Sequence, residues 1–129
     1  MKKKPRKLKS LKDEAWKWFS IWVRSNTADF ADNVQCYTCP KKVNWRYNCD
    51  AGHYRHDSHD YDPRNVKPQC KDCNMGGKGR ADNFYLHLIQ EYGLEVAEEL
   101  RKRAKWNDYS RTELMEVIEK YKGVDNKDV

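Results

Sequence analysis

Residues 36–73 read CYTCPKKVNWRYNCDAGHYRHDSHDYDPRNVKPQCKDC. Two CxxC pairs bound the stretch, Cys36–Cys39 and Cys70–Cys73, with thirty residues between them. A CxxC turn lets two thiolates reach one tetrahedral ion, and a second pair completes its shell. A redox-active CxxC needs a thioredoxin-like βαβ setting, which this sequence lacks. The four cysteines therefore read as a closed structural zinc site. The gap is longer than in compact zinc fingers, which leaves room for a function between the knuckles. Cys49 is left over, either as a small buried thiol or as an alternative ligand.

The rest of the composition agrees with a metal-stapled domain. The chain has 129 residues, 36% of them charged, and a mean hydropathy of -1.15. Apolar surface is too scarce for one large core, and small domains in that position often add a metal or a partner subunit. Five tryptophans and eight tyrosines compensate in part, since each buries a large area. The formal net charge of +6 favours a polyanionic partner. Residues 1–12 hold seven Lys/Arg and no acid. Such an arm is either a solubilising tail or a strand-grasping arm that displaces counterions from phosphates. No apolar run reaches the length of a membrane span, and no signal-peptide h-region follows the basic start. The expectation is a soluble, cytoplasmic protein, where thiols stay reduced.

Helical spacing marks Leu11, Ala15, Trp18, Phe19 and Trp22, with a capping box expected at Ser10–Asp13. This helix, over 11–24, serves the core or covers a second subunit. A short hairpin is expected over 34–48, then two strands near 50–54 and 65–68 joined by a long loop. Residues 71–79 begin as a helical turn and stop at the glycines. Helices follow over 80–92, with Gly93 as C-cap, over 94–105, and from the Ser110–Glu113 capping box to Gly123. The organisation is a basic arm at 1–10, one domain at 11–123 with its centre at 34–93, and a tail at 124–129.

Three histidines, His53, His56 and His59, lie between the knuckles, where four thiolates already saturate a zinc ion. The order is a Cys pair, Gly52-His53, Asn65, and a second Cys pair followed at once by Asn74. This order resembles the HNH (His-Me finger, ββα-metal) nucleases. The pieces AGHY, RNVKPQC and CKDCN most closely resemble the NinG-type phage recombination proteins, over roughly residues 11–93. The resemblance implies an α+β fold: a zinc-stapled ββα-metal core with an N-terminal helix and C-terminal helices. It also implies a Mg²⁺- or Mn²⁺-dependent DNA endonuclease acting on branched intermediates such as D-loops, flaps and Holliday junctions. The setting would be a host cytoplasm.

On that resemblance His53 is the general base, Asn65 orients its imidazole by side chain or carbonyl, and Asn74 holds the catalytic cation. An unperturbed imidazole keeps a large neutral fraction at neutral pH. The sequence departs from the commonest pattern in two places. Gly52 stands where many such enzymes have Asp, and Asn74 where many have His. Weak cation binding without DNA is therefore expected, and Asp57, His59 and Asp60 are further candidate ligands. On an extended chain Arg55 faces the same side as His53 and can contact the scissile phosphate, or it is a surface arginine. Lys2, Lys3, Lys4, Arg6 and Lys7 of the arm are DNA-binding candidates, with Lys78 and Arg80 along the groove. Glycines beside them would let backbone amides approach a phosphate. A junction has two strands to cut, which makes a homodimer a candidate arrangement. The alternatives are a non-catalytic zinc-dependent DNA-binding module and a recombination adaptor.

Overall fold

A computed structural model describes residues 4–56, 58–102 and 108–123. Helix α1 spans Leu8–Ser25 and buries Leu11, Ala15, Phe19 and Val23, a four-residue spacing that forms one stripe. It starts ahead of the expected capping box. Lys7 occupies the N-cap without a side-chain cap, and Ser10 lies inside the helix, where its Oγ accepts from Arg6 at 2.9 Å. Arg6 also pairs with Glu14, which holds the extra turn in place. The basic arm is therefore partly absorbed into the fold from Arg6 onward.

Two antiparallel hairpins follow. Strands β1 (Asn33–Gln35) and β2 (Lys42–Asn44) pair with Val34 opposite Val43. Strands β3 (Cys49–His53) and β4 (Val66–Cys70) pair with Cys49 opposite Cys70 and His53 opposite Val66. A wide helical turn, Asp72–Gly76, leads from β4 to α2 (Ala81–Tyr92). Helix α3 (Leu94–Arg101) departs at Gly93, whose φ of 93° is costly for any residue with a Cβ. Residues 103–105, the end expected for α3, lie outside the described residues, as does the tail at 124–129.

Helix α4 (Arg111–Tyr121) opens with the expected capping box. Ser110 Oγ accepts from Glu113 N at 3.1 Å, and Glu113 accepts from Ser110 N at 3.0 Å. Its Leu114 and Ile118 pack on Leu11 and Ala15, and Tyr121 meets Phe19 and Trp22 at ring separations of 5.0 and 5.1 Å. The apolar face of α1 is thus covered by α4 of the same chain, the core role. Apolar burial is divided among small clusters, as the composition implies. One joins α1, β4 and α4 through Phe19, Val23, Val66 and Tyr121, and another joins α2 to α3 through Phe84, Leu88, Ala97 and Leu100. No helix among the described residues is long and apolar enough to cross a membrane.

Candidate metal centre and the loop it supports

The turn after β1 and the end of β4 bring Cys36, Cys39, Cys70 and Cys73 together, with all four sulfurs within 4.8 Å of one another. Sulfurs on a tetrahedral Zn²⁺ stand ~3.8 Å apart, given Zn–S bonds of about 2.3 Å. Cys39 Sγ and Cys70 Sγ are 3.7 Å apart. Backbone amides stabilise negative sulfur here: Cys70 N donates to Cys36 Sγ at 3.3 Å and Cys73 N to Cys70 Sγ at 3.4 Å. Burial works against ionisation of Cys36, but the Cys70 and Thr38 backbones bring its thiol down to about 7. The donor set can hold a metal such as zinc. Cys49 packs instead with Val34 and Trp45, and burial pushes its thiol up to about 12. It is the small buried thiol, outside the four-sulfur group.

His53 ends β3. Its ring stacks on Trp16 at 4.9 Å and 17°, so it faces α1, as Ala51 does two residues earlier. Nε2 is buried with no hydrogen-bond partner among the described residues, and Asp60 Oδ1 stands 3.7 Å away. Burial, then the nearby His56, lower the His53 pKa to about 4, so the ring is neutral at neutral pH. The sign for stability follows. Below about 6.5 the unfolded chain takes up a proton that the folded ring refuses, so stability falls as pH drops from there towards 4. Comparison of wild type with His53→Gln isolates this effect. From neutral pH to about pH 5 the wild type should lose about 2 kcal/mol more than the variant in urea unfolding.

Asn65 precedes β4 and is fully buried. Its Oδ1 accepts from Arg55 N at 2.9 Å, and its Nδ2 donates to Arg55 O and His59 O at 3.1 and 3.0 Å. Its backbone carbonyl accepts from Tyr54 N at 2.8 Å. Asn65 therefore clamps the backbone of the loop after His53, and its side-chain hydrogen bonds go to that backbone and not to the imidazole whose orientation was expected of it. Asn65→Ala leaves several buried groups without partners, at a cost of about 3 kcal/mol. A fall in thermal midpoint with zinc retained would show it.

The same loop revises three other candidates. β3 ends at His53, so strand alternation does not carry Arg55 to the face of His53, and its backbone is bound to Asn65. His59 Nε2 contacts the Lys102 carbonyl at 3.0 Å, and burial raises the Asp60 pKa. Asp57 lies outside the described residues, as do Lys2 and Lys3.

Asn74 sits in the turn Asp72–Gly76 and donates to Asp50 Oδ2 at 3.0 Å. A Cβ at Gly52 would come within 3.1 Å of Asn74 Oδ1. Asn74 therefore meets β3 on the face of Asp50 and Gly52, opposite the face of Ala51 and His53. Among the described residues β3 pairs only with β4. Along the other edge a depression is lined by Trp16 and Arg24 of α1, Arg46, Asp50, Lys71 and Asn74. Trp16 is thus shared between the His53 ring and this basic hollow. Asp50, held by Lys71 at 2.7 Å, carried no motif that would have marked it.

Lys4, Lys7, Lys78 and Arg80 are exposed, and Arg6 is engaged by Glu14. Lys78 and Arg80 adopt φ of 54° and 51° around Gly79. The backbone amides there do not reach outward as expected. Gly77, Lys78, Gly79 and Arg80 donate to the carbonyls of Asp72, Met75, Cys73 and Gly77. Only the side chains remain for an anion.

Together these features define a small α+β protein whose two hairpins and following helical turn meet at four cysteines that could hold a metal such as zinc. Over residues 1–128 the chain matches the family model described as NinG, Bacteriophage Lambda NinG protein. The chain belongs to the NinG family. No curated protein and no solved structure matches it.

Proposed function

We propose that this NinG-family chain is a metal-dependent DNA endonuclease of the HNH type, acting on branched recombination intermediates. The observation that carries the reading is His53: a neutral, largely buried imidazole with an uncommitted nitrogen, at the end of a strand that the cysteine centre anchors. Supporting it is the basic hollow beside β3, where Arg24, Arg46 and Lys71 suit a phosphodiester backbone. The DNA strand lies across the open edge of β3, between His53 on one face and Asn74 on the other.

In this reading His53 Nε2 takes the proton of a water that attacks phosphorus, and the 3′ oxygen leaves with the bonding pair. A phosphate beside the buried ring favours its protonated form and so raises its basicity when DNA is bound. Trp16 fixes the plane of the ring, and Asn65 fixes the loop that follows it. Asn74 would hold the cation, Mg²⁺ or Mn²⁺, which would neutralise charge on the phosphate and the leaving oxygen. The four cysteines would hold zinc as a structural clamp.

The test is His53→Ala with Mg²⁺ and a panel of labelled linear, flapped, D-loop and four-way DNAs. Nicking of branched DNA should fall by about 10²–10⁴-fold with DNA binding kept. Undiminished cleavage removes His53 from the mechanism. A wild type that binds every substrate and nicks none is a zinc-dependent DNA-binding module instead.

A further inference from the structure

Gln69 lies on β4 opposite Asp50 and is completely buried. Its Nε2 donates to Thr38 Oγ1 and to the Gly79 carbonyl, each at 2.9 Å. A carbonyl only accepts, so this end of the amide must be the NH₂ group, and Oε1 is turned towards β3. Oε1 is buried and has no donor among the described residues. Asn74 is fixed in the same manner. Its Nδ2 donates to the Asp50 carboxylate, and Oδ1 is turned towards Gly52.

Both oxygens face the space where β3 has no side chain. A Cβ on Gly52 would stand 1.8 Å from Gln69 Oε1 and 3.1 Å from Asn74 Oδ1. Any larger residue at 52 would displace the Gln69 oxygen. Two acceptors facing one point repel, and leaving a buried carbonyl without a partner costs about 1–3 kcal/mol. Amide and carboxylate oxygens are the donors that hard divalent cations select. Asp50 supplies a carboxylate on the same face of the strand, two residues from Gly52.

We infer that Gln69 Oε1 and Asn74 Oδ1 converge beside Gly52 as paired ligands for one hard divalent cation, Gln69 supplying an oxygen that Gly52 cannot. The inference rests on the endonuclease reading only for what the cation does, not for its binding.

Mn²⁺ is the probe, added to the zinc-loaded full chain without DNA. Electron paramagnetic resonance counts the free ion, and zinc content with far-ultraviolet circular dichroism reports folding. Wild type should bind one Mn²⁺ in the millimolar range, and Gln69→Leu and Gly52→Ala should each weaken binding at least about tenfold. Asn74→Ala should do likewise, and the Gln69→Leu/Asn74→Ala pair should be far from additive, as for groups sharing one partner. A second measurement needs no variant. Substoichiometric Mn²⁺ should broaden the side-chain NH₂ signals of Gln69 and Asn74 before those of other amides. Absence of that broadening overturns the inference and leaves an ordered water as the partner of Oε1. So does a zinc-retaining Gln69→Leu that binds Mn²⁺ like wild type. Broadening at both residues in a protein that nicks no DNA upholds the site and refutes the endonuclease reading. Nicking with Gln69 unaffected refutes the site alone.

Discussion

Cys70→Ser should release zinc and unfold the centre of the molecule. Cys70 closes β4 and pairs with Cys49 across the hairpin, so its sulfur would join a metal on the four cysteines to the strand that carries Gln69. Its amide also donates to Cys36 Sγ, and its own sulfur accepts from Cys73 N. Structural zinc contributes about 10–16 kcal/mol of apparent binding energy in small metal-folded units, and there binding and folding are one event. That is comparable to the whole stability of a typical domain, about 5–15 kcal/mol. The variant should contain less than one equivalent of zinc, lose the cooperative melt, and expose amides of β3 and β4 to rapid hydrogen exchange. A zinc-free Cys70→Ser that melts like wild type would remove the metal from the folding argument. Cys49→Ser should keep its zinc, because that thiol lies in the Val34–Trp45 cluster.

Phe19→Ala should be nearly as damaging, by a different route. Phe19 has no exposed surface and sits where α1, β4 and α4 meet, among Trp16, Trp22, Tyr61 and Tyr121. Removing a fully buried phenyl ring costs about 3–5 kcal/mol, part transfer energy and part unfilled cavity. In a domain whose apolar burial is split among small clusters, neighbouring side chains have little spare volume with which to collapse. A fall in melting temperature of roughly 10 °C or more is expected. Zinc should stay bound at low temperature, since the cysteine group is a separate cluster. The two variants thus separate the four-cysteine centre from the aromatic seam. A shift of only a degree or two would mean that α4 does not seal α1.

Features that depend on local chemistry were legible in the sequence. The CxxC spacing states which sulfurs meet, because the turn itself brings each pair together. The Ser110–Glu113 box is local too, since both halves of the reciprocal bond lie within one turn. The start of α1 was not legible, because the extra turn rests on Arg6 and Glu14, eight residues apart. The glycine run before α2 was misread for a related reason: composition gives freedom of φ, but not the carbonyls that claim the amides. Asn65 was marked by the resemblance, yet its partners are loop backbone groups and not the ring. Asp50 and Gln69 were invisible, because each matters only through the β3–β4 register and the return of the chain at Asn74. A glutamine in a strand carries no signature until the glycine across from it is known.

Translation adds a consequence to the pairing of α1 with α4. The ribosome delivers Leu8–Ser25 before Arg111–Tyr121, and synthesis at about 5–20 residues per second puts several seconds between them. For that interval the stripe of Leu11, Ala15, Phe19 and Val23 on the first helix lacks the cover that α4 gives it, while both cysteine pairs are already made. The nascent chain therefore passes through a stage with a greasy flank open to solvent, during which a holdase would find its best foothold.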